Sequence, residues 1–120
     1  MELLSRERRS RQMYDELRDY FLYMAEKTGT LWENDKPSAS CCHGFASIAA
    51  AYLYRDILGV RQIDYRSKRI WVDPPADMPL DWCEGIVPVS ATEEVRVRWQ
   101  KVSGVPEATV DVPEGWTVVK

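Results

Sequence analysis

Apolar residues recur at spacings of three and four through Met13, Leu17, Tyr20, Phe21 and Met24. That spacing puts them on one face of an α-helix. Thr28-Gly29-Thr30 ends the pattern, and Gly29 is the expected left-handed cap. A loop over 30–42 follows, containing Pro37, with Ser38 or Ser40 as expected cap for the next helix. The second helix is predicted with Phe45, Ile48, Ala49, Tyr52, Leu53 and Ile57 on one stripe, stopping at Gly59. Ala46, Ala49, Ala50 and Ala51 keep its surface small, which predicts a close helix–helix contact.

The period then changes. Ile70-Trp71-Val72 reads as a strand that stops at Pro74-Pro75, because proline donates nothing to a ladder. Ile86-Val87-Pro88-Val89 is apolar and extended. Val95, Val97 and Trp99 alternate with Arg96 and Arg98, the period of two of a strand with one wet face. Glu93 and Glu94 fall at the hairpin before it. Val110 and Val112 also alternate, and Glu114-Gly115 turns the chain into Trp116-Thr117-Val118-Val119. Short strands punctuated by Pro and Gly predict an antiparallel sandwich or part of one.

The expected fold class is therefore α+β: a helix pair over residues 1–59, then an antiparallel β-sandwich segment over 60–120. Each half is near the lower limit for an independent core. Two arrangements stay open: the helices pack on the sheet as one small domain, or the chain is cut from a larger helical array. In the second case the stripe carrying Leu17, Phe21 and Met24 would be exposed and would drive self-association.

The chain has 120 residues and a formal charge of −3, which gives no strong field for nucleic acid or anionic lipid. Arg6, Arg8, Arg9 and Arg11 are offset by Glu7, Asp15, Glu16 and Asp19 and read as a solvated helix face. No apolar run is long enough to span a membrane, and no signal core follows Met1. A cytoplasmic or an exported location stays open. Three cysteines leave at least one unpaired; Cys41 and Cys42 are adjacent, so reduced thiols are expected.

The candidate chemistry lies in the loop. Trp32-Glu33 sets a carboxylate beside an indole, and the chain's one histidine, His43, follows closely. Apolar sugar faces stack on indole, and glycosidic bonds are cleaved by carboxyl groups. Adjacent side chains on a helix do not face each other, which disfavours a Cys42–His43 nucleophile pair. Cys41, Cys42 and His43 likewise make a poor zinc site, and no metal or cofactor is expected. Five tryptophans invite a carbohydrate-binding reading, but Trp71, Trp82, Trp99 and Trp116 are expected in the β core. Asp35 is a candidate for a sugar hydroxyl or for solvent.

Thr30-Leu31-Trp32-Glu33, Pro37-Ser38-Ala39-Ser40, His43-Gly44-Phe45, Leu53-Tyr54-Arg55 and Leu58-Gly59-Val60 occur in that order. Lys68-Arg69-Ile70, Pro74-Pro75 and the stretch ending Val95-Arg96-Val97-Arg98-Trp99 follow. This series resembles the C-terminal part of bacterial α-L-rhamnosidases, over roughly residues 12 to 120. The resemblance implies the last helices of an (α/α)6 catalytic barrel followed by the C-terminal β-sandwich of a much longer inverting glycoside hydrolase. It implies Glu33 as general base, Trp32 and His43 as substrate-binding residues, no cofactor, and a rhamnose-containing glycan as partner; Asp35 joins the candidate substrate-binding residues from its place in the loop alone. The general acid would come from an upstream segment that this chain does not contain, so the isolated chain is expected to be inactive. Cys42 stands where the family often has Asn, and Asn34-Asp35 where many members have a basic or aromatic residue. The alternative is a free-standing carbohydrate-binding or structural module without catalysis; a third is a small α+β protein that dimerises through its helix stripe.

Overall fold

The computed structural model describes residues 1–34, 36 and 38–119, and at residues 45 and 46 the backbone alone. A short helix, Glu2–Arg6, is followed by Arg8 in the left-handed region at φ 54°, which breaks the chain's direction before the long helix. Arg6, Arg8, Arg9 and Arg11 are all exposed, as expected, but this break keeps them off one continuous helix face.

The long helix runs as an α-helical stretch Ser10–Glu16, a π-helical stretch Leu17–Leu22 and a final α-helical stretch Tyr23–Thr28. Gly29 caps it at φ 73°, donating its N–H to the Ala25 carbonyl at 2.7 Å. Met13, Leu17 and Met24 are buried, and Tyr20 and Phe21 half-buried. The predicted stripe is therefore the inner face. Leu17, Phe21 and Met24 are therefore not the exposed patch that the self-association expectation supposed. The exposed large apolar side chains of the described helices are others: Leu3, Leu22, Tyr23, Ile48, Leu53 and Tyr54.

The second helix changes its winding along its length. Gly44–Ser47 is 3₁₀, Ile48–Tyr52 α, and Leu53–Ile57 π, the last turn closed by Leu58 N–H on the Leu53 carbonyl at 2.8 Å. The predicted stripe is half right. Ala49, Tyr52 and Ile57 are buried, but Ile48 is 51 % and Leu53 50 % exposed. The buried row runs through Ala49, Tyr52 and Asp56 instead. Ser38 and Ser40 stand too far from Gly44 to cap; Ser40 Oγ donates to the Cys42 carbonyl at 3.1 Å. Ala49 does join Met13 and Leu17 in one buried cluster, the expected helix–helix contact, while Ala50 and Ala51 face outward.

Two three-stranded sheets follow. The first contains β1 (Val60–Asp64), β2 (Arg69–Val72) and β6 (Thr117–Val119) in the order β1-β2-β6. The second contains β3 (Trp82–Pro88), β4 (Glu94–Val102) and β5 (Val105–Asp111) in sequence order, antiparallel throughout. The chain is α+β, helices first and antiparallel-rich sheets after. In β4 the predicted alternation holds: Val95, Val97 and Trp99 are buried, Arg96 and Arg98 exposed. One pairing departs from the antiparallel expectation, since β6 runs parallel to β2. The turn at Pro113–Trp116, with Gly115 at φ 82° and Trp116 N–H on the Pro113 carbonyl, carries the chain from the second sheet to the first. β5 and β6 are therefore not a hairpin. Of the four tryptophans expected in the β core, Trp99 and Trp116 are buried, Trp71 is half-buried, and Trp82 is 56 % exposed at the start of β3.

One buried cluster spans both sheets and includes Val60, Ile70, Val72, Val87, Val95, Val97 and Trp116. A second joins Met13, Leu17, Ala49, Tyr52 and Ile57 of the helices to Met78 and Trp99. Trp99 also donates its indole N–H to the Ile57 carbonyl at 3.1 Å. The helices thus pack on the sheet. Gly59, at the junction of the helical and strand parts, has φ 90° and lies so close to Pro74 that an added Cβ would meet its Cα at 2.7 Å.

Candidate functional site

The loop between the helices starts from the Gly29 cap and is closed by two main-chain hydrogen bonds. Glu33 N–H donates to the Ser40 carbonyl at 2.9 Å, and His43 N–H donates to the Leu31 carbonyl at 2.9 Å. The segments around Leu31–Glu33 and Ser40–His43 therefore lie side by side, like two rungs of an antiparallel ladder. Leu31 anchors the base by packing against the helical cluster.

Trp32 is held on three sides. Its indole N–H donates to Thr28 Oγ1 at 2.7 Å, its backbone N–H points at the Met24 sulfur at 3.5 Å, and its ring meets Tyr23 edge-on at 5.9 Å. Thr28 Oγ1 in turn lies 2.8 Å from Thr30 Oγ1, which donates to the Cys41 carbonyl. The hydroxyl chain from Thr28 to Thr30 to Cys41 pins both arms of the loop to the end of the long helix. Glu33 is exposed beside the half-buried Trp32, and His43 is half-buried across the ladder. The structure thus brings Trp32, Glu33 and His43 into one braced loop. Asp35 lies outside the described residues.

Cys41, Cys42 and Cys83 are all free thiols. Cys41 and Cys42 are exposed on the loop, while burial and the nearby Glu84 push the Cys83 thiol up. Among the described residues no group of three or more His, Cys, Asp and Glu side chains is placed to hold a metal ion. None of the described helices is long and apolar enough to cross a membrane.

Two polar features were not anticipated. The first is a buried ion network. Asp56, 1 % exposed, accepts Ser5 Oγ at 2.9 Å, Arg61 Nη1 at 3.2 Å and Arg55 Nε at 3.2 Å. Arg55 also reaches Glu2 at 3.1 Å, and its hydrogen bond holds the Glu2 carboxyl below the usual range. Arg61 donates to the Asp73 backbone carbonyl, and Arg8 pairs with the Asp73 carboxylate at 2.7 Å. This network ties the N-terminal helix, the second helix, β1 and the segment after β2 together. A signal existed in the sequence: Asp56 falls four residues after Tyr52, in the buried row, with Arg55 and Arg61 close by.

The second is a concavity of about 740 Å³, and it is not at the Glu33 loop. It lies over the outer face of the β3–β4–β5 sheet, lined by residues that include Glu84, Arg98, Glu107 and Asp111. A smaller one of about 310 Å³ lies between Arg8, Arg61 and the Asp73–Asp77 segment.

Comparison of the chain with protein-family models, with curated proteins and with solved structures finds no match.

Proposed function

We propose that this chain is the C-terminal portion of an inverting glycoside hydrolase acting on terminal α-L-rhamnosides, with Glu33 as general base. The observation that carries this reading is the braced loop at the junction of the helices. It presents an exposed carboxylate beside an immobilised indole, with a histidine across a two-rung ladder. The chemistry asks for these parts. Water is a weak nucleophile, and inversion requires a carboxylate to take its proton on the face opposite the leaving group. The acid and base carboxyls of inverting enzymes stand roughly 6.5–9.5 Å apart, with room for that water. Glu33 is the one carboxylate among the described residues of the loop, and the family resemblance assigns the acid to another part of the enzyme. The order of motifs from Thr30 to Trp99, and helices preceding sheets, agree with the end of a helical barrel and its trailing β-domain. The exposed Leu22, Tyr23, Ile48 and Leu53 suit contact with neighbouring barrel helices.

The test is an L-rhamnose titration of the folded 120-residue chain, followed by amide and indole NMR signals. The expected result is saturable shifts at Trp32, Glu33 and His43, with D-glucose much weaker. Shifts confined to other parts of the chain, or none, would contradict the assignment of the loop.

A further inference from the structure

The outer face of the second sheet is an ordered grid. Register places Trp82, Gln100 and Glu107 in one row across the three strands, Glu84, Arg98 and Thr109 in the next, and Ile86, Arg96 and Asp111 in the third. All nine residues are exposed on the face opposite Val95, Val97 and Trp99, as strand alternation requires. A concavity of about 740 Å³ lies over the second and third rows and reaches Gln100 and Glu107 of the first, with Trp82 outside its lining. We propose that this face binds a neutral oligosaccharide chain.

Three observations point to that ligand. The first is the state of the polar groups. Arg96 is engaged with Glu94 at 2.7 Å, but Glu84, Arg98, Gln100, Glu107, Thr109 and Asp111 make no side-chain hydrogen bond or ion pair with any described residue. Donors and acceptors alternate across the face without satisfying one another. Vicinal sugar hydroxyls both donate and accept, so one hydroxyl can give to a carboxylate while accepting from a guanidinium.

The second is the charge. Two guanidiniums stand against three carboxylates within the concavity. A nucleic acid or phosphate ligand needs an excess of positive charge, and an acidic polysaccharide would meet Glu84, Glu107 and Asp111. A peptide adding a strand uses a sheet edge and not a face, and an amphipathic helix needs more apolar surface than Ile86 and Trp82 supply.

The third is the aromatic ring at one end. Trp82 is 56 % exposed in the first row, where an indole offers a flat apolar platform to a sugar ring. The volume lies in the range of about 300–1,000 Å³ usual for small-ligand sites. This surface is remote in sequence from the Glu33 loop and does not rest on the catalytic assignment.

The test is affinity electrophoresis of the whole chain in native gels containing galactomannan, arabinoxylan or mixed-linkage glucan, with polygalacturonate and DNA as charged controls. Retardation by at least one neutral polysaccharide is expected. Arg98→Ala combined with Trp82→Ala should weaken it about tenfold or more, the loss expected for a charge-assisted hydrogen bond and a stacking platform. Glu33→Gln should leave it unchanged, which separates this surface from the loop. Both sheet side chains are exposed, so the double variant should melt with the wild type. Should it melt early, Arg98→Lys, which keeps the charge but not the planar fork, should still weaken retardation, by less than the double variant. No retardation by any neutral polysaccharide, retardation by the charged controls alone, full retention in the sheet variants, or loss in Glu33→Gln would each overturn the proposal.

Discussion

Replacing Trp99 tests how the two parts of the fold are joined. Trp99 is fully buried, packs in the cluster shared with Met13, Leu17, Tyr52 and Ile57, and donates its indole N–H to the Ile57 carbonyl. Trp99→Ala removes the largest fully buried side chain among the described residues. Truncations of this kind cost about 3–5 kcal/mol. Losing the donor also strands the Ile57 carbonyl, at about 1 kcal/mol. The expected loss is therefore about 4–6 kcal/mol, comparable with the whole stability of many single domains. For a chain of this length the entropy of unfolding is about 0.25 kcal/mol/K, so even 4 kcal/mol lowers Tm by about 16 °C. Trp99→Phe keeps much of the apolar bulk and loses the donor, and should cost about 1–2 kcal/mol. Trp82→Ala is the control, because its exposed indole should contribute within about 0.5 kcal/mol. Urea unfolding followed by circular dichroism measures all three. A Trp99→Ala midpoint equal to that of Trp82→Ala would refute the claim that the helices are anchored on the sheet through this side chain.

Asp56→Ala leaves Arg61 and Arg55 facing a site without its carboxylate. Breaking a buried pair costs about 3–5 kcal/mol, and the partial exposure of Arg55 places the expected loss at the lower end, read as a shift in urea midpoint. Gly59→Ala forces a Cβ to within 2.7 Å of Pro74 Cα at φ 90° and should cost about 2 kcal/mol or more, whereas Gly29→Ala at φ 73° meets nothing within 4 Å and should cost only about 1 kcal/mol. Equal thermal shifts for the two glycine variants would show that the Gly59–Pro74 approach is not tight.

The parts of the fold legible in the sequence are those where one physical cause dominates. β4 alternates because one face packs inward, Val95 and Val97 on the other sheet and Trp99 on the helices, while the other meets water, so these residues announced themselves. The Gly29 cap was legible because few other residues sit comfortably at positive φ. The second helix was read less well, because its winding changes from 3₁₀ through α to π and its buried row includes Asp56, a residue that apolar patterning discards. β1 was missed, since it offers only Val60 and Ile63 and carries a bulge between Val60 and Gln62. The parallel pairing of β6 with β2 is decided by tertiary packing around Trp116 and leaves no local pattern. At the candidate site, residue types and loop limits were legible, but the Glu33–Ser40 and Leu31–His43 rungs were not, because neither arm alternates. The grid on the outer sheet face depends on strand register, which sequence spacing does not supply.

The central claim is that Glu33 takes the proton from water in rhamnoside hydrolysis. Its most direct test is steady-state kinetics with an aryl α-L-rhamnoside, in the longer enzyme that the proposal requires, comparing wild type with Glu33→Gln. Removing a general base loses roughly 10²–10⁴-fold in rate. The account predicts a fall in kcat of that order with an unchanged thermal melt, and no hydrolysis by the 120-residue chain alone. A Glu33→Gln enzyme within a few-fold of wild type, or robust hydrolysis by the isolated chain, would contradict it.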